Sequence, residues 1–132
     1  MDLNLSGQSA LITGSTLGIG LAIAQALRAD GADVIINGRS ATRLAQAVDR
    51  LKRAPGTGSV RGLALDLSTP QGAASLLAEL PSVDILVNNL GIFEPKPFVD
   101  IPDEDWAATV AASFSSPASP AFRSPPRWCT TA

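Results

Sequence analysis

The chain has 132 residues, of which 45% are hydrophobic and 17% charged, with a net charge of −2 and a pI near 4.9. That length allows one domain, but not a full doubly wound sheet of roughly six strands with its helices. The acidic balance and eight scattered arginines argue against a nucleic-acid surface, and no apolar run is long enough to cross a membrane.

The first element expected is a strand over Ser9–Thr13. It leads into Thr13-Gly14-Ser15-Thr16-Leu17-Gly18-Ile19-Gly20. Apolar residues then recur at Ile19, Ala22, Ile23, Ala26 and Leu27, the spacing of a helix with one buried face, placed at Leu17–Asp30. A glycine-rich turn between a strand and a helix suits a dinucleotide pyrophosphate. Gly14 permits a tight turn. Gly18 and Gly20 leave room for the phosphates and for close packing of the helix. The helix N-terminus offers free N–H groups and a positive dipole end, and Ser15 and Thr16 offer hydroxyls. The alternative is an ordinary tight loop of an α/β protein.

A second strand, Asp33–Asn37, ends in Asn37-Gly38-Arg39-Ser40. An NAD site would place an acid near here, roughly 20 residues past the glycines, to hold the ribose 2′-hydroxyl. No acid stands there. Arg39 brings a permanent cation suited to a 2′-phosphate and Ser40 a hydrogen-bond donor, so NADP(H) is favoured over NAD(H). Arg39 could equally be a solvated loop residue. A helix over Ala41–Arg53 follows, then a loop at Ala54–Ser59.

The third strand is expected near Arg61–Leu65, followed by Asp66-Leu67-Ser68. Asp66 could accept from an adenine amino group, or cap the helix expected over Pro70–Leu80. The fourth strand, Val83–Asn88, has a continuously apolar centre typical of buried parallel strands. It runs into Asn88-Asn89-Leu90-Gly91, where two amides can tie strand ends together and Gly91 keeps a site floor open. A last helix is expected over Asp103–Ala112, with Asp103, Glu104 and Asp105 in its first turn. The expected fold is α/β, a truncated Rossmann-like parallel sheet ordered 3-2-1-4, with the fourth strand at an edge. An apolar edge predicts marginal stability or aggregation.

Thr-Gly-x-x-x-Gly-Ile-Gly, then Asp66-Leu67, then Asn-Asn-x-Gly resembles the N-terminal half of the short-chain dehydrogenase/reductase family, over about residues 3 to 112. Leu90 departs from the family's usual Ala. The resemblance implies that Gly14, Ser15, Leu17, Gly18, Ile19 and Gly20 cradle the pyrophosphate of a nicotinamide dinucleotide. It implies that Asn37, Arg39 and Ser40 meet the adenosine ribose, that Asp66 and Leu67 flank the adenine, and that Asn89 and Gly91 line the nicotinamide ribose. It also implies hydride transfer between nicotinamide and a carbonyl or alcohol. Reduction of a 3-oxoacyl thioester and oxidation of a simple alcohol or sugar both remain open. The family's proton relay resembles Ser, Tyr and Lys with a supporting Asn. This chain has no Tyr and no His, and its two lysines, Lys52 and Lys96, lack the Tyr-x-x-x-Lys context. Ser113 stands where the supporting Asn would fall. No catalytic residue is therefore assigned, and no Cys, His or carboxylate cluster offers a metal site. The family's oligomer interface is expected to be missing.

Composition changes at the same point. Residues 113–132 hold four prolines and five serines and no helical pattern. The expected division is a nucleotide-binding domain over 1–112 and a disordered or non-native tail over 113–132. A shifted reading frame near residues 107–115 would produce such a tail, since GC-rich DNA read out of frame yields Ser, Pro and Arg. The alternative is a Pro-rich segment that recruits a partner. The polar opening, Met1-Asp2-Leu3-Asn4, is unlike a signal peptide. The single Cys129 permits no internal disulfide. Both point to a cytoplasmic location.

Overall fold

A computed structural model describes residues 3–90, together with Asp100, Asp103 and Glu104. The expected helix over Asp103–Ala112, apart from its first two residues, the tail from residue 113 and Gly91 lie outside the described residues.

Four parallel strands form one sheet: β1 (Ser9–Ile12), β2 (Asp33–Gly38), β3 (Val60–Ala64) and β4 (Ile85–Val87). Their spatial order is β3-β2-β1-β4, as the sequence led us to expect, so among the described residues β4 forms one edge. Ala10 aligns with both Val34 and Ile85, which puts the carboxyl ends of β1, β2 and β4 close together.

Side-chain alternation along the strands explains the layering. Ala10, Ile12, Val34 and Ile36 face one way, into a core shared with Leu21 and Ala24 of α1 (Gly18–Ala29) and Leu44, Ala47 and Leu51 of α2 (Ala41–Arg53). Leu11, Ile35 and Leu63 face the other way, against Leu76 and Leu80 at α3 (Pro70–Glu79). Helices on both faces are why β2 has four consecutive buried residues, Val34 to Asn37, where a one-sided strand would alternate.

The helix starts differ in a way that matters for the site. Ser40 caps α2 by accepting from the Arg43 N–H at 3.3 Å. Thr69 caps α3 by accepting from the Gly72 N–H at 3.1 Å, with Pro70 in the first turn. The residue before α1 is Leu17, which supplies no side-chain cap.

The end of the sheet where the strands begin is held by ionised groups. Asp33 accepts from both the N–H and the hydroxyl of Ser59, each at 2.7 Å. Asp84 accepts from the N–H and hydroxyl of Ser9 at 2.8 and 3.0 Å. Arg28 donates to the carbonyls of Gly58, Leu51 and Ala54 at 2.8–2.9 Å, joining the end of α1 to the end of α2 and the loop after it.

Candidate functional site

At the opposite end of the sheet, the loops after all four strands meet around an open cleft of about 520 Å³. Its lining is Gly14, Thr16, Asn37, Gly38, Arg39, Ser40, Arg43, Leu65, Leu67 and Leu90. The strand order reverses between β1 and β4, and crevices at such a switch point are where open α/β sheets bind ligands.

The turn after β1 is shaped by two glycines in different ways. Gly18 has φ +59°, in the left-handed region, and a Cβ built on it would meet nothing within 4 Å, so the space beside it is open. Gly20 is the reverse. A Cβ there would lie 2.5 Å from Asn89 Nδ2 and 2.9 Å from the Gly14 carbonyl, so only glycine lets α1 approach the ends of β1 and β4. With no side-chain cap at Leu17, the first N–H groups of α1 are left for solvent or an anion. Leu17 and Ile19 stand 62% and 74% exposed beside them.

The hydroxyls of this turn do not all face outward. Ser15 is fully buried. Its hydroxyl donates to the Ile12 carbonyl at 2.6 Å and accepts from the Asn37 N–H at 3.0 Å, and its own N–H donates to the Asn37 carbonyl at 2.9 Å. A phosphate contact from the Ser15 hydroxyl is therefore corrected to a structural tie between the ends of β1 and β2. Thr16, partly exposed, does line the cleft.

Asn37 is likewise buried, and its amide is spent on the protein. Nδ2 donates to the Leu63 and Leu65 carbonyls at 3.1 and 3.0 Å, and Oδ1 accepts from the Gly14 N–H at 3.4 Å. It spans β3, β2 and the turn after β1, and is among the residues that line the cleft. Arg39 and Ser40 follow it as exposed residues on the cleft wall.

Asp66 stands between Leu65 and Leu67, which both line the cleft. Its Oδ1 accepts from the Ser68 hydroxyl at 2.6 Å and the Ser68 N–H at 3.0 Å. Those bonds, with the nearby Arg39 charge, hold its carboxyl below the usual aspartate range. The side-chain cap of α3 belongs to Thr69 rather than to Asp66, which shapes the turn before that cap. Leu67 is buried and contributes to the cleft lining from within the core.

Thr13 holds the far wall. Its Oγ1 accepts from the N–H groups of Asn89 and Leu90, both at 3.0 Å, and donates to the Val87 carbonyl at 3.4 Å. Asn89 returns a bond from Nδ2 to the Gly14 carbonyl at 3.1 Å. Neither this role of Thr13 nor the place of Arg43 in the cleft was anticipated. The tie pairs residues 76 apart in sequence. Arg43 was legible only as a polar position one turn into α2.

The fold and this crevice define a doubly wound domain with a ligand site at the switch point. Comparison with known proteins then fixes the family. The family model described as short chain dehydrogenase matches residues 8–121, and the chain belongs to that family of oxidoreductases. It is 52% identical over 106 residues to the uncharacterized oxidoreductase YvaG of Bacillus subtilis, covering 80% of this chain and 40% of that protein. It is 39% identical over 118 residues to the 3-oxoacyl-[acyl-carrier-protein] reductase FabG of Escherichia coli, covering 86% of this chain and 46% of FabG. Among solved structures, L-sorbose reductase from Gluconobacter frateurii, complexed with NADPH and L-sorbose, superposes with a TM-score of 0.70 at 33% identity, covering 93% of this chain and 50% of that one. The chain thus spans half or less of the length of these relatives. No helix among the described residues is long and apolar enough to cross a membrane.

Proposed function

We propose that this chain is the cofactor-binding part of an NADP(H)-dependent reductase or dehydrogenase acting on a carbonyl or alcohol, with 3-oxoacyl-thioester reduction the leading activity of the whole protein. The observation that carries the reading is the wall after β2, where Gly38, Arg39 and Ser40 line the cleft and, among the described residues, no carboxylate does. A bound nicotinamide dinucleotide supplies or accepts the hydride. The chain's own residues bind and orient it. The uncapped start of α1 and the open face of Gly18 receive the pyrophosphate. Arg39 and Ser40 face the adenosine ribose, and Asn89 holds the floor at the β1–β4 junction. Similar solved structures, L-sorbose reductase complexed with NADPH and the RhlG/NADP active-site complex of Pseudomonas aeruginosa, support the cofactor class.

The 132 residues contain no tyrosine, so no phenol is present to deliver the proton that must accompany hydride transfer. We therefore propose binding without turnover for this chain. Titration calorimetry with NADPH and NADH, alongside assays on 3-oxoacyl thioesters and small ketones, tests this. The expected result is NADPH favoured at least tenfold and no turnover. Equal affinity removes the NADP(H) preference, no binding removes the nucleotide reading, and turnover removes the assignment of inactivity.

The lack of tyrosine also favours a second reading, a binding module whose function needs no chemistry. A domain boundary near residue 112 belongs to both. The coding DNA read beyond the codon for Trp106 in all three frames separates them. A Ser followed by Tyr-x-x-x-Lys in a shifted frame assigns the chemistry to a longer protein. Without it, NADP(H) binding alone is the function to pursue.

A further inference from the structure

Beside the main cleft lies a smaller depression of about 220 Å³ between α1 and α2, reaching Leu21, Gln46 and Arg50. Thr16 and Arg43 line both spaces and so form the wall they share. The Thr16 methyl packs against Gly38, where a Cβ would collide with it, which holds Thr16 over the end of β2. Arg43 is fixed at its backbone, since its N–H donates to the Ser40 hydroxyl at 3.3 Å. Its side chain is exposed. Among the described residues the one ion pair joins Arg61 and Glu79, and the arginine side chains that donate hydrogen bonds are Arg28 and Arg61. Arg43 has no such engagement there. Arg39 and Arg43 thus line the same cleft as two small hydroxyl residues, Thr16 and Ser40.

We infer that Arg43 is the second arm of a two-arginine clamp for a phosphate monoester on the ribose 2′-oxygen, with Arg39 the first. The inference rests on the NADP(H) reading above. A phosphate monoester carries about −1.5 to −2 charge at neutral pH and three acceptor oxygens. One guanidinium fork meets two of those oxygens and leaves an oxygen and residual charge for another cation. An unphosphorylated ribose diol offers Arg43 neither. Arg43 therefore acts on the choice of nucleotide rather than on nucleotide binding as such, and is a specificity-determining residue.

The experiment is calorimetric titration of the 132-residue chain with adenosine 2′,5′-bisphosphate and with 5′-AMP. The proteins are wild type, Arg39→Gln, Arg43→Gln and Arg50→Gln, with unfolding midpoints measured for each. Arg50 lines the smaller depression but not the main cleft, so Arg50→Gln controls for general loss of positive charge. Arg43→Gln is expected to weaken the bisphosphate roughly tenfold, as for loss of a charge-assisted hydrogen bond. It should change 5′-AMP less than twofold, and Arg50→Gln should change neither. If Arg39→Gln weakens the bisphosphate and Arg43→Gln does not, the clamp is overturned while the NADP(H) reading stands. If Arg50→Gln weakens it as much as Arg43→Gln does, the effect is diffuse charge and the clamp is overturned. If wild type binds both probes equally, the reading and the clamp fall together.

Discussion

Thr13 and Asn89 hold each other across the junction of β1 and β4. The Thr13 hydroxyl accepts from the Asn89 N–H at 3.0 Å, and the Asn89 amide donates to the carbonyl of Gly14, the residue after Thr13, at 3.1 Å. The reciprocal pair fixes the two loops that floor the crevice relative to one another, although 76 residues separate them in sequence.

Replacing Thr13 with Val keeps the shape and removes the acceptor for two N–H groups, Asn89 and Leu90. The expected cost is about 1–3 kcal/mol, the penalty for leaving such donors unsatisfied. Urea denaturation measures it, and Thr13→Ser should recover most of it. A Val variant as stable as wild type would show that water satisfies these groups.

Gly20→Ala and Gly18→Ala should fail to different extents. At Gly20 the new methyl meets Asn89 Nδ2 and the Gly14 carbonyl, so α1 must move and NADPH affinity should fall by more than tenfold. At Gly18 there is space, and the cost is the left-handed backbone alone, about 1–2 kcal/mol. Calorimetric titration and denaturation on both variants separate approach from strain. Equal effects would contradict the packing described for α1.

Ser15→Ala tests the inward turn of that hydroxyl. It removes a donor to Ile12 and an acceptor for Asn37, at an expected cost of about 1–3 kcal/mol. The folded variant should bind NADPH within twofold of wild type. A large loss of affinity with stability intact would return the hydroxyl to the phosphate.

Acid should destabilise the domain through identifiable carboxylates. The Ser59 N–H and hydroxyl lower the Asp33 pKa, and Ser68 lowers that of Asp66. A carboxyl lowered in the folded state is protonated first in the unfolded chain. Its contribution is therefore complete above the unfolded value, about 3.9, and is lost as pH falls below it through the folded value. Denaturation midpoints from pH 6 down to 2.5 should show this decline, and Asp33→Asn should flatten part of it. An identical slope in that variant would remove Asp33 from the account.

The Arg61–Glu79 ion pair should contribute little. Its side chains are 51% and 49% exposed, so Glu79→Gln should change stability by less than about 1 kcal/mol. A larger loss in a salt titration would reveal shielding that the exposures do not suggest.

Buried parallel strands and helix placement were legible because Ile85-Leu86-Val87 and Val34-Ile35-Ile36 are apolar on both faces and the helical stripes of α1 and α2 are clean, and strand order followed from the doubly wound pattern that the glycine turn announces. Bounds shifted by a residue or two: β3 is Val60–Ala64 rather than Arg61–Leu65, and α1 starts at Gly18 with Leu17 before it. The directions of the small polar side chains were not legible. Thr13, Ser15 and Asn37 each carry groups that suit a ligand equally well, and only contacts between strands turn them inward. The same holds for Asp66, which the sequence left open as a cap for α3 and which instead accepts from Ser68 in the turn before it.

The ties described above divide by chemistry along the strands. Around the crevice they are mostly neutral, Thr13, Ser15, Asn37 and Asn89, with the Asp66 carboxylate on Ser68 the exception. Where the strands begin they carry full charge: Arg28 on three carbonyls, Asp33 on Ser59, Asp84 on Ser9. Apart from Asp66, the groups on which acid and salt act thus lie at the end remote from the crevice. Amide exchange at low pH should quicken first at Ser9 and Ser59, while the amides of Asn37 and Asn89 keep their protection. The domain would then fray from its far end and keep the shape of its ligand-facing end longest.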